Sequence, residues 1–307
     1  MKDEVRVFSP GTVSNVACGF DILGFPLESV GDEMVVRKTN EKGIKINNLS
    51  EHKLPLDISK NVASVSALAL IDSLKPDCGF EIDIIKKIKP GSGIGSSGSS
   101  AAGCVFAINK LMDEPFTISD LIKFAMKGEL ISSVSEHADN IAPALLGGFV
   151  LVKSISPLEI IKIPSPDDLY CTVVHPQIEL KTSYSRSILP NDISLIDATK
   201  QIANFGSLIH SLHVSDYDLI KTSLNDHLIE KHRSKLIPNF HEVKSAALNS
   251  KALGCSISGS GPSIFALSQG IDIAEAVGES MKKVYNETEI EFSTYVSKIN
   301  DKGVKII

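Results

Sequence analysis

The stretch Pro90-Gly-Ser-Gly-Ile-Gly-Ser-Ser-Gly-Ser-Ser100 runs directly into the small-residue segment Ala101–Met112, and its reading decides the fold. Glycine lets a backbone approach a ligand closely and take positive φ. Helical character in Ala101–Met112 points free N–H groups and the positive end of a dipole back at the loop, an arrangement suited to anions. The serine hydroxyls add contacts for phosphate oxygens or a metal. Just before the loop, Phe80–Ile88 alternates as FEIDIIKKI, which predicts a strand with one wet face. Ordered segments therefore flank the loop on both sides, which disfavours a flexible Gly/Ser linker and points to polyphosphate binding.

Two better-known phosphate loops fit less well. Gly93-Ile-Gly-Ser-Ser-Gly98 matches the dinucleotide pattern G-x-G-x-x-G. A dinucleotide fold needs a buried parallel strand before that motif and another strand after its helix. Here the preceding strand is half polar, and Asp113-Glu-Pro-Phe leads into a second helix. The Walker pattern GxxxxGK[ST] is absent from the chain. A kinase-type loop without the Walker lysine is left.

Working outward, Val5–Phe8 predicts a strand, Ser9–Gly19 a loop rich in Gly, Ser and Asn, and Met34–Lys38 another strand. Asn61–Ser73 places small and apolar residues all round, as a buried helix does. Thr117 and Asp120 form a T-x-x-D helix start. Ala142–Val152 contains Pro143, Gly147 and Gly148, is too short to span a bilayer, and reads as a turn feeding a buried strand over Gly147–Lys153. Ile163-Pro-Ser-Pro-Asp-Asp168 reads as a linker or tight turn. Beyond it come a strand at Leu169–His175, helices at Asp192–His213 and Phe240–Asn249, two strands around a Gly-rich turn at Cys255–Leu267, a helix at Ile271–Tyr285 and a strand at Phe292–Lys298. That order is a split βαβ, ferredoxin-like domain. The expected boundary lies near residue 165, giving domains 1–165 and 166–307.

Composition narrows the function classes. The chain has 307 residues, enough for one large or two ordinary domains. It is 43% hydrophobic and 22% charged, so it can bury a core. A net charge of −6 argues against a general nucleic-acid binder, whose affinity comes from clustered Lys and Arg. The acidic start MKDEVRVFSPGTVSN lacks a signal-type apolar run, so a cytoplasmic protein is expected. Cys18, Cys78, Cys104, Cys171 and Cys255 are odd in number and contain no CxxC, so buried thiols are expected.

At this point the residues resemble the GHMP kinases. Their ATP-binding motif, P-x-x-x-G-L-G-S-S-A-A, is similar to Pro90–Ala101, with Ile94 for Leu and Gly98-Ser99 for Ala-Ala. Ser9-Pro-Gly-Thr-Val-Ser-Asn-Val-Ala-Cys-Gly-Phe-Asp-Ile-Leu-Gly24 resembles the family's substrate-side motif, and Ser256-Ile-Ser-Gly-Ser-Gly-Pro-Ser263 its Gly-rich third motif. Three further segments, Glu136–Pro143, Lys181–Pro190 and Asp226–Pro238, resemble the members whose acceptor is L-homoserine. The resemblance implies an α+β fold of two domains, the first like the second domain of ribosomal protein S5 and the second ferredoxin-like. It implies ATP, Mg²⁺ and transfer of the γ-phosphoryl group to the L-homoserine hydroxyl on the route to threonine. No membrane partner is expected, and a homodimer is a family-level expectation.

The same resemblance assigns roles residue by residue. Pro90, Gly91, Ser92, Gly93, Ile94, Gly95, Ser96, Ser97, Gly98, Ser99 and Ser100 would bind ATP. Ser97 and Glu129 match the positions that hold Mg²⁺. Asn61 would line the adenine pocket, although as a bare residue it is equally a helix N-cap. Arg186 and Arg233 match a carboxylate clamp, for which the planar guanidinium is suited. Asp21 and Asn15 match residues at the amino-acid end, and His137 and Asn140 lie in the stretch lining the acceptor pocket. Asn140, Arg186 and Thr182 are the catalytic candidates. Some relatives carry an Asp eleven residues after the metal Glu as a base. Here that position is Asn140, and a neutral amide cannot take a proton at pH 7. Catalysis by alignment and charge neutralisation is implied. Other readings are a different small-alcohol kinase, such as the archaeal-type shikimate kinase, or a nucleotide-binding regulatory module without catalysis.

Overall fold

The computed structural model describes residues 3–131 and 136–307. The first sheet is built on a long hairpin, β1 (Glu4–Val16) and β2 (Gly19–Thr39). β3 (Ile44–Asn48) and β4 (Gly79–Ile85) extend one edge, with β3 parallel to β4. β5 (Phe149–Ile155) pairs with the start of β2, and β6 (Leu158–Ile163) pairs with β5. Helices α1 (Val62–Leu74), α2 (Ser96–Leu111), α3 (Ile118–Glu129) and α4 (Ile141–Leu146) complete this half.

Small residues make the packing possible. Thirteen of the sixteen residues of α2 are buried, among them Ser99, Ala101, Ala102, Cys104 and Ala107. The helix therefore lies in the core, where Val105 and Ile108 join Val7, Met34, Val36, Phe80, Ile82 and Ile84 of the sheet. The alternation read from Phe80–Ile88 holds: Phe80, Ile82 and Ile84 are at most 1% exposed. Thr117 caps α3 in a full capping box with Asp120.

The second sheet has the strand order β10-β7-β9-β8, all antiparallel, from β7 (Leu169–Pro176), β8 (Gly254–Ile257), β9 (Ile264–Gln269) and β10 (Phe292–Lys298). That is the ferredoxin-like order expected from the element sequence. Its helices are α5 (Thr182–Ser187), α6 (Leu195–Val214), α7 (Tyr217–Ser223), α8 (Glu230–Arg233), α9 (Phe240–Asn249) and α10 (Ile271–Asn286). The last strand, β11 (Lys305–Ile306), returns to pair with β1. No helix among the described residues is long and apolar enough to cross a membrane.

Three local readings are corrected. Ser9–Gly19, read as a loop, is mostly strand: Ser9, Thr12 and Ser14 are at most 1% exposed and lie on the β1–β2 ladder. Two register shifts, with left-handed backbone at Asn15, Ala17 and Asp21, bend that hairpin and explain its loop-like composition. Ser96–Ser100, read as loop, already forms the start of α2. Within Ala142–Val152 the chain makes the short helix α4 before Gly147 and Gly148 turn it into β5.

The two halves share a core in which Phe25 meets Phe149 at 4.7 Å and Phe265 at 6.2 Å between ring centroids. A polar link runs beside it. Lys89 donates to Gln177 at 2.9 Å, and the Gln177 amide donates to Ser293 at 3.1 Å and to Nδ1 of His175 at 3.2 Å. Burial holds the His175 imidazole down to about 4, with the nearby Lys89 charge adding to the effect. The folded protein therefore keeps His175 neutral where the unfolded chain, with an ordinary value near 6.5, takes up a proton. Stability falls as pH drops from about 6.5 toward 4, by up to about 3 kcal/mol from this residue. Urea unfolding at pH 7 and pH 4.5 should show His175→Gln losing less stability across that interval than the wild type. Equal losses would contradict the account.

Candidate active site

The chain leaves β4 and turns through Pro90–Gly95 into α2 with positive φ at Gly91 (76°), Gly93 (80°) and Gly95 (61°). Each step is dictated by close approach or handedness. A Cβ on Gly95 would lie 1.9 Å from Oγ1 of Thr12, and one on Gly93 would lie 2.7 Å from the carbonyl oxygens of both Ser258 and Gly261. The third motif thus clasps the phosphate loop: Ser258 Oγ donates to the Gly93 carbonyl at 2.7 Å and Ser263 Oγ to that of Ser92 at 2.6 Å. The first motif clasps it from the other side, with the Thr12 N–H on the Ile94 carbonyl at 3.1 Å. Beneath the first turn of α2, Lys86 and Asp32 form an ion pair with both side chains 1% exposed. Lys86 also donates to the Ser96 carbonyl and to Ser100 Oγ, and Asp32 accepts the N–H groups of Lys87 and Ile88.

The serines of the loop divide by role. Ser92 Oγ accepts the Ile94 N–H, Ser96 donates to Ile88, Ser99 donates to Ser9, and Ser100 donates to Ser96 while accepting from Lys86. These hydroxyls fix the loop through contacts within the protein. Ser97 Oγ makes no hydrogen bond among the described residues. Asn61 is the N-cap of α1: it accepts from Ala63 and Ser64 and donates to the Pro55 carbonyl at 2.8 Å. Glu129 ends α3, whose close packing on α1 needs Gly128, since a Cβ there would lie 2.1 Å from Ser66 Oγ.

The acceptor-side residues converge from five segments. Asn15 donates to the Gly259 carbonyl at 2.7 Å and accepts the Asp21 N–H at 2.7 Å. Arg186 on α5 places Nη2 at 2.7 and 2.9 Å from the two Asp21 oxygens and 3.2 Å from Nε2 of His137. Arginine offers only donors, so Nε2 of His137 accepts, which suits a positioning role. Arg233 on α8 is 2% exposed and donates from Nε to Ser185 and from Nη1 to Gly259, both at 3.1 Å. Burial, and then the neighbouring Arg186, lower it to about 10, so it stays charged at neutral pH. Both guanidinium groups lie over Phe20, 5.4 and 5.1 Å from its ring centroid. Thr182 Oγ1 sits 3.2 Å from Ser260 Oγ. Asn140 joins the phosphate side to this one, accepting from Thr12 Oγ1 at 2.7 Å and donating to Ser14 Oγ at 3.0 Å.

Sequence reasoning passed over Asp139, although it lies inside the quoted segment Glu136–Pro143. Asp139 is 3% exposed, and burial, with the Asp21 charge next, pushes its carboxyl above the usual range. Attention to the position eleven residues after Glu129 singled out Asn140 instead, and an Asp before an Asn carries no signal of burial. Phe20, Thr12 and Ser14 were likewise only part of a quoted motif.

Comparison with known proteins identifies the family. The family model described as the GHMP kinases N terminal domain matches residues 61–148, and the GHMP kinases C terminal model matches 195–287. The chain belongs to the GHMP kinases and is an ATP-dependent kinase with that family's two-domain fold. It is 46% identical to the homoserine kinase of Chlorobium phaeovibrioides, over 99% of each chain. It superposes on the crystal structure of homoserine kinase from Cytophaga hutchinsonii with a TM-score of 0.96 and 47% identity, covering 100% of this chain and 98% of that one. The crystal structure of L. major mevalonate kinase in complex with R-mevalonate shares the fold at a TM-score of 0.76 and 16% identity, over 97% of this chain and 98% of that one.

Gly95→Ala tests the clasp. The added methyl meets Thr12 and adopts a left-handed backbone, so the variant should lose about 2 kcal/mol or more of stability and its ATP affinity. Calorimetric melting and nucleotide titration read both, and wild-type values in either would contradict the geometry.

Proposed function

We propose that the chain transfers the γ-phosphoryl group of ATP to the side-chain hydroxyl of L-homoserine, giving O-phospho-L-homoserine and ADP for threonine synthesis. One observation carries the reading. The Gly259–Gly261 turn touches the phosphate loop through Gly93 and, through the Gly259 carbonyl, both Asn15 and the buried Arg233. The donor and acceptor ends of a phosphoryl transfer to an amino acid are thus built on one turn.

Phosphoryl transfer chiefly needs positioning and charge stabilisation. The backbone N–H groups opening α2 would hold the phosphates. Ser97 and Glu129 would hold Mg²⁺: a hydroxyl and a carboxylate are hard oxygen donors, and this ion takes few protein ligands beside substrate phosphates. The described residues contain no group of three or more His, Cys, Asp and Glu that would suit a caged metal instead. When bound, the ion would neutralise charge on the β- and γ-phosphates. Arg186 and Arg233 would take the acceptor carboxylate, with Asp21 and His137 fixing Arg186. Asn140, anchored by Thr12 and Ser14, would align the hydroxyl, with Thr182 beside it. The hydroxyl oxygen forms a bond to the γ-phosphorus as the bridge to ADP breaks. Its proton passes to a phosphoryl oxygen or water, since the neutral amide of Asn140 cannot take it. We also divide the chain near residue 165, supported by the end of the first sheet's run at Ile163, with β11 returning from the far end. Five free cysteines support a reducing, cytoplasmic setting.

A coupled ADP-release assay across homoserine, shikimate, mevalonate and galactose tests the reading. Turnover with homoserine is expected to dominate, and preference for any other alcohol, or none at all, would overturn it. Ser97→Ala and Glu129→Gln should each raise the barrier by about 3 kcal/mol, roughly a hundredfold in kcat, with melting temperature retained. Near-normal turnover at limiting Mg²⁺ would remove them from the metal site. Arg186→Ala should raise the homoserine KM far more than the ATP KM, and the reverse pattern would move this arginine to the phosphate side.

A further inference from the structure

Two consecutive lysines leave β4 in opposite directions. Lys87 has a side chain 59% exposed and pairs with Glu33 at the surface. Lys86 turns inward under the first turn of α2, where its side chain and that of Asp32 are each 1% exposed. All three donors of the Lys86 ammonium are used, on Asp32 Oδ2, on the Ser96 carbonyl at 2.5 Å and on Ser100 Oγ at 3.0 Å. The other Asp32 oxygen accepts the N–H groups of Lys87 at 2.7 Å and Ile88 at 3.0 Å. Burying two ions is costly even when they are paired, and apolar side chains would join β4 to α2 at less cost. A cation at the positive, N-terminal end of a helix adds to that cost unless an anion faces the same end. The Ser96 carbonyl belongs to the peptide group whose other end is the Ser97 N–H. The Ser99 N–H already turns back on the Gly95 carbonyl at 2.8 Å, which leaves the Ser97 N–H at the open end of the helix. A cation on a carbonyl oxygen draws electrons across the peptide and makes its N–H a stronger donor.

We propose that Lys86 is a positioning residue for the nucleotide phosphates. Beyond holding the turn, it orients and polarises the Ser96–Ser97 peptide through the Ser96 carbonyl, so that the Ser97 N–H meets a phosphate oxygen as a strengthened donor. Asp32 keeps the ammonium under that peptide and offsets its charge until the phosphates arrive. The inference rests on the reading that the N–H groups opening α2 hold the phosphates, and deepens it. Lys86 itself is buried and reaches no ligand, so its effect passes through the Ser97 N–H alone.

The test combines Lys86→Met with Asp32→Asn and separates stability from phosphate binding. Lys86→Met alone leaves Asp32 buried without its cation and should lower the melting temperature sharply. The double variant removes both charges, keeps an acceptor oxygen for the Lys87 and Ile88 N–H groups, and should regain most of that loss. Its ADP dissociation constant should still lie about tenfold above the wild-type value, while adenosine, which carries no phosphate, binds both proteins within about twofold. ADP affinity restored together with the melting temperature would confine the pair to fold stability and overturn the inference. An equal loss for ADP and adenosine would overturn it too. Lys86→Gln with Asp32→Asn, a neutral amide at each position, carries the same comparison should the first double variant fail to fold. Failure of the underlying reading looks different: the wild type would then show no preference for ADP over adenosine, or one that survives Gly95→Ala.

Discussion

The close approach of two backbones at Gly93 is the constraint on which the site depends. With a side chain there, the Cβ would sit 2.7 Å from two carbonyl oxygens of the β8–β9 turn, so the phosphate loop and the second sheet could not meet. Because they do meet, Ser258 and Ser263 can anchor the loop, Gly259 can reach Asn15, and Arg233 can reach Gly259. Each half alone holds an incomplete set of groups. The shared apolar core around Phe25, Phe149 and Phe265 keeps the halves in register, and the glycines let their polar surfaces close.

Charge burial follows two patterns in the structure. Lys86 and Asp32 are paired and further satisfied by backbone groups, which serves a structural role under the first turn of α2. Arg233 is buried with no ion pair among the described residues, and its Nε and Nη1 donate to the Ser185 and Gly259 carbonyls instead. Phe20 lets two like-charged guanidinium groups share the site by offering each a ring face.

Much of this was legible in the sequence. The ferredoxin-like order of the second half, the buried helices and the Thr117 cap follow from periodicity and local chemistry, and α9 and β10 have the very bounds read from the chain. The motifs led to Asn15, Asp21, Asn140, Arg186 and Arg233, and the fold gathers them. What the sequence hid is what tertiary packing decides. Ser9–Gly19 has loop composition but is held as strand because its hydroxyls find partners in α2 and Asn140. Which loop serine anchors which segment depends on the carbonyl or N–H each one meets in the fold. The burial of Asp139 is decided by tertiary packing and has no local signal in the chain.

The central claim is that this site joins a phosphoryl group to the side-chain hydroxyl of an amino acid. The most direct measurement is ³¹P NMR of the protein with ATP, Mg²⁺ and L-homoserine. The account predicts a new phosphomonoester resonance coupled to the C4 methylene protons, growing in step with ADP. Release of inorganic phosphate alone, or ATP left intact, would contradict it.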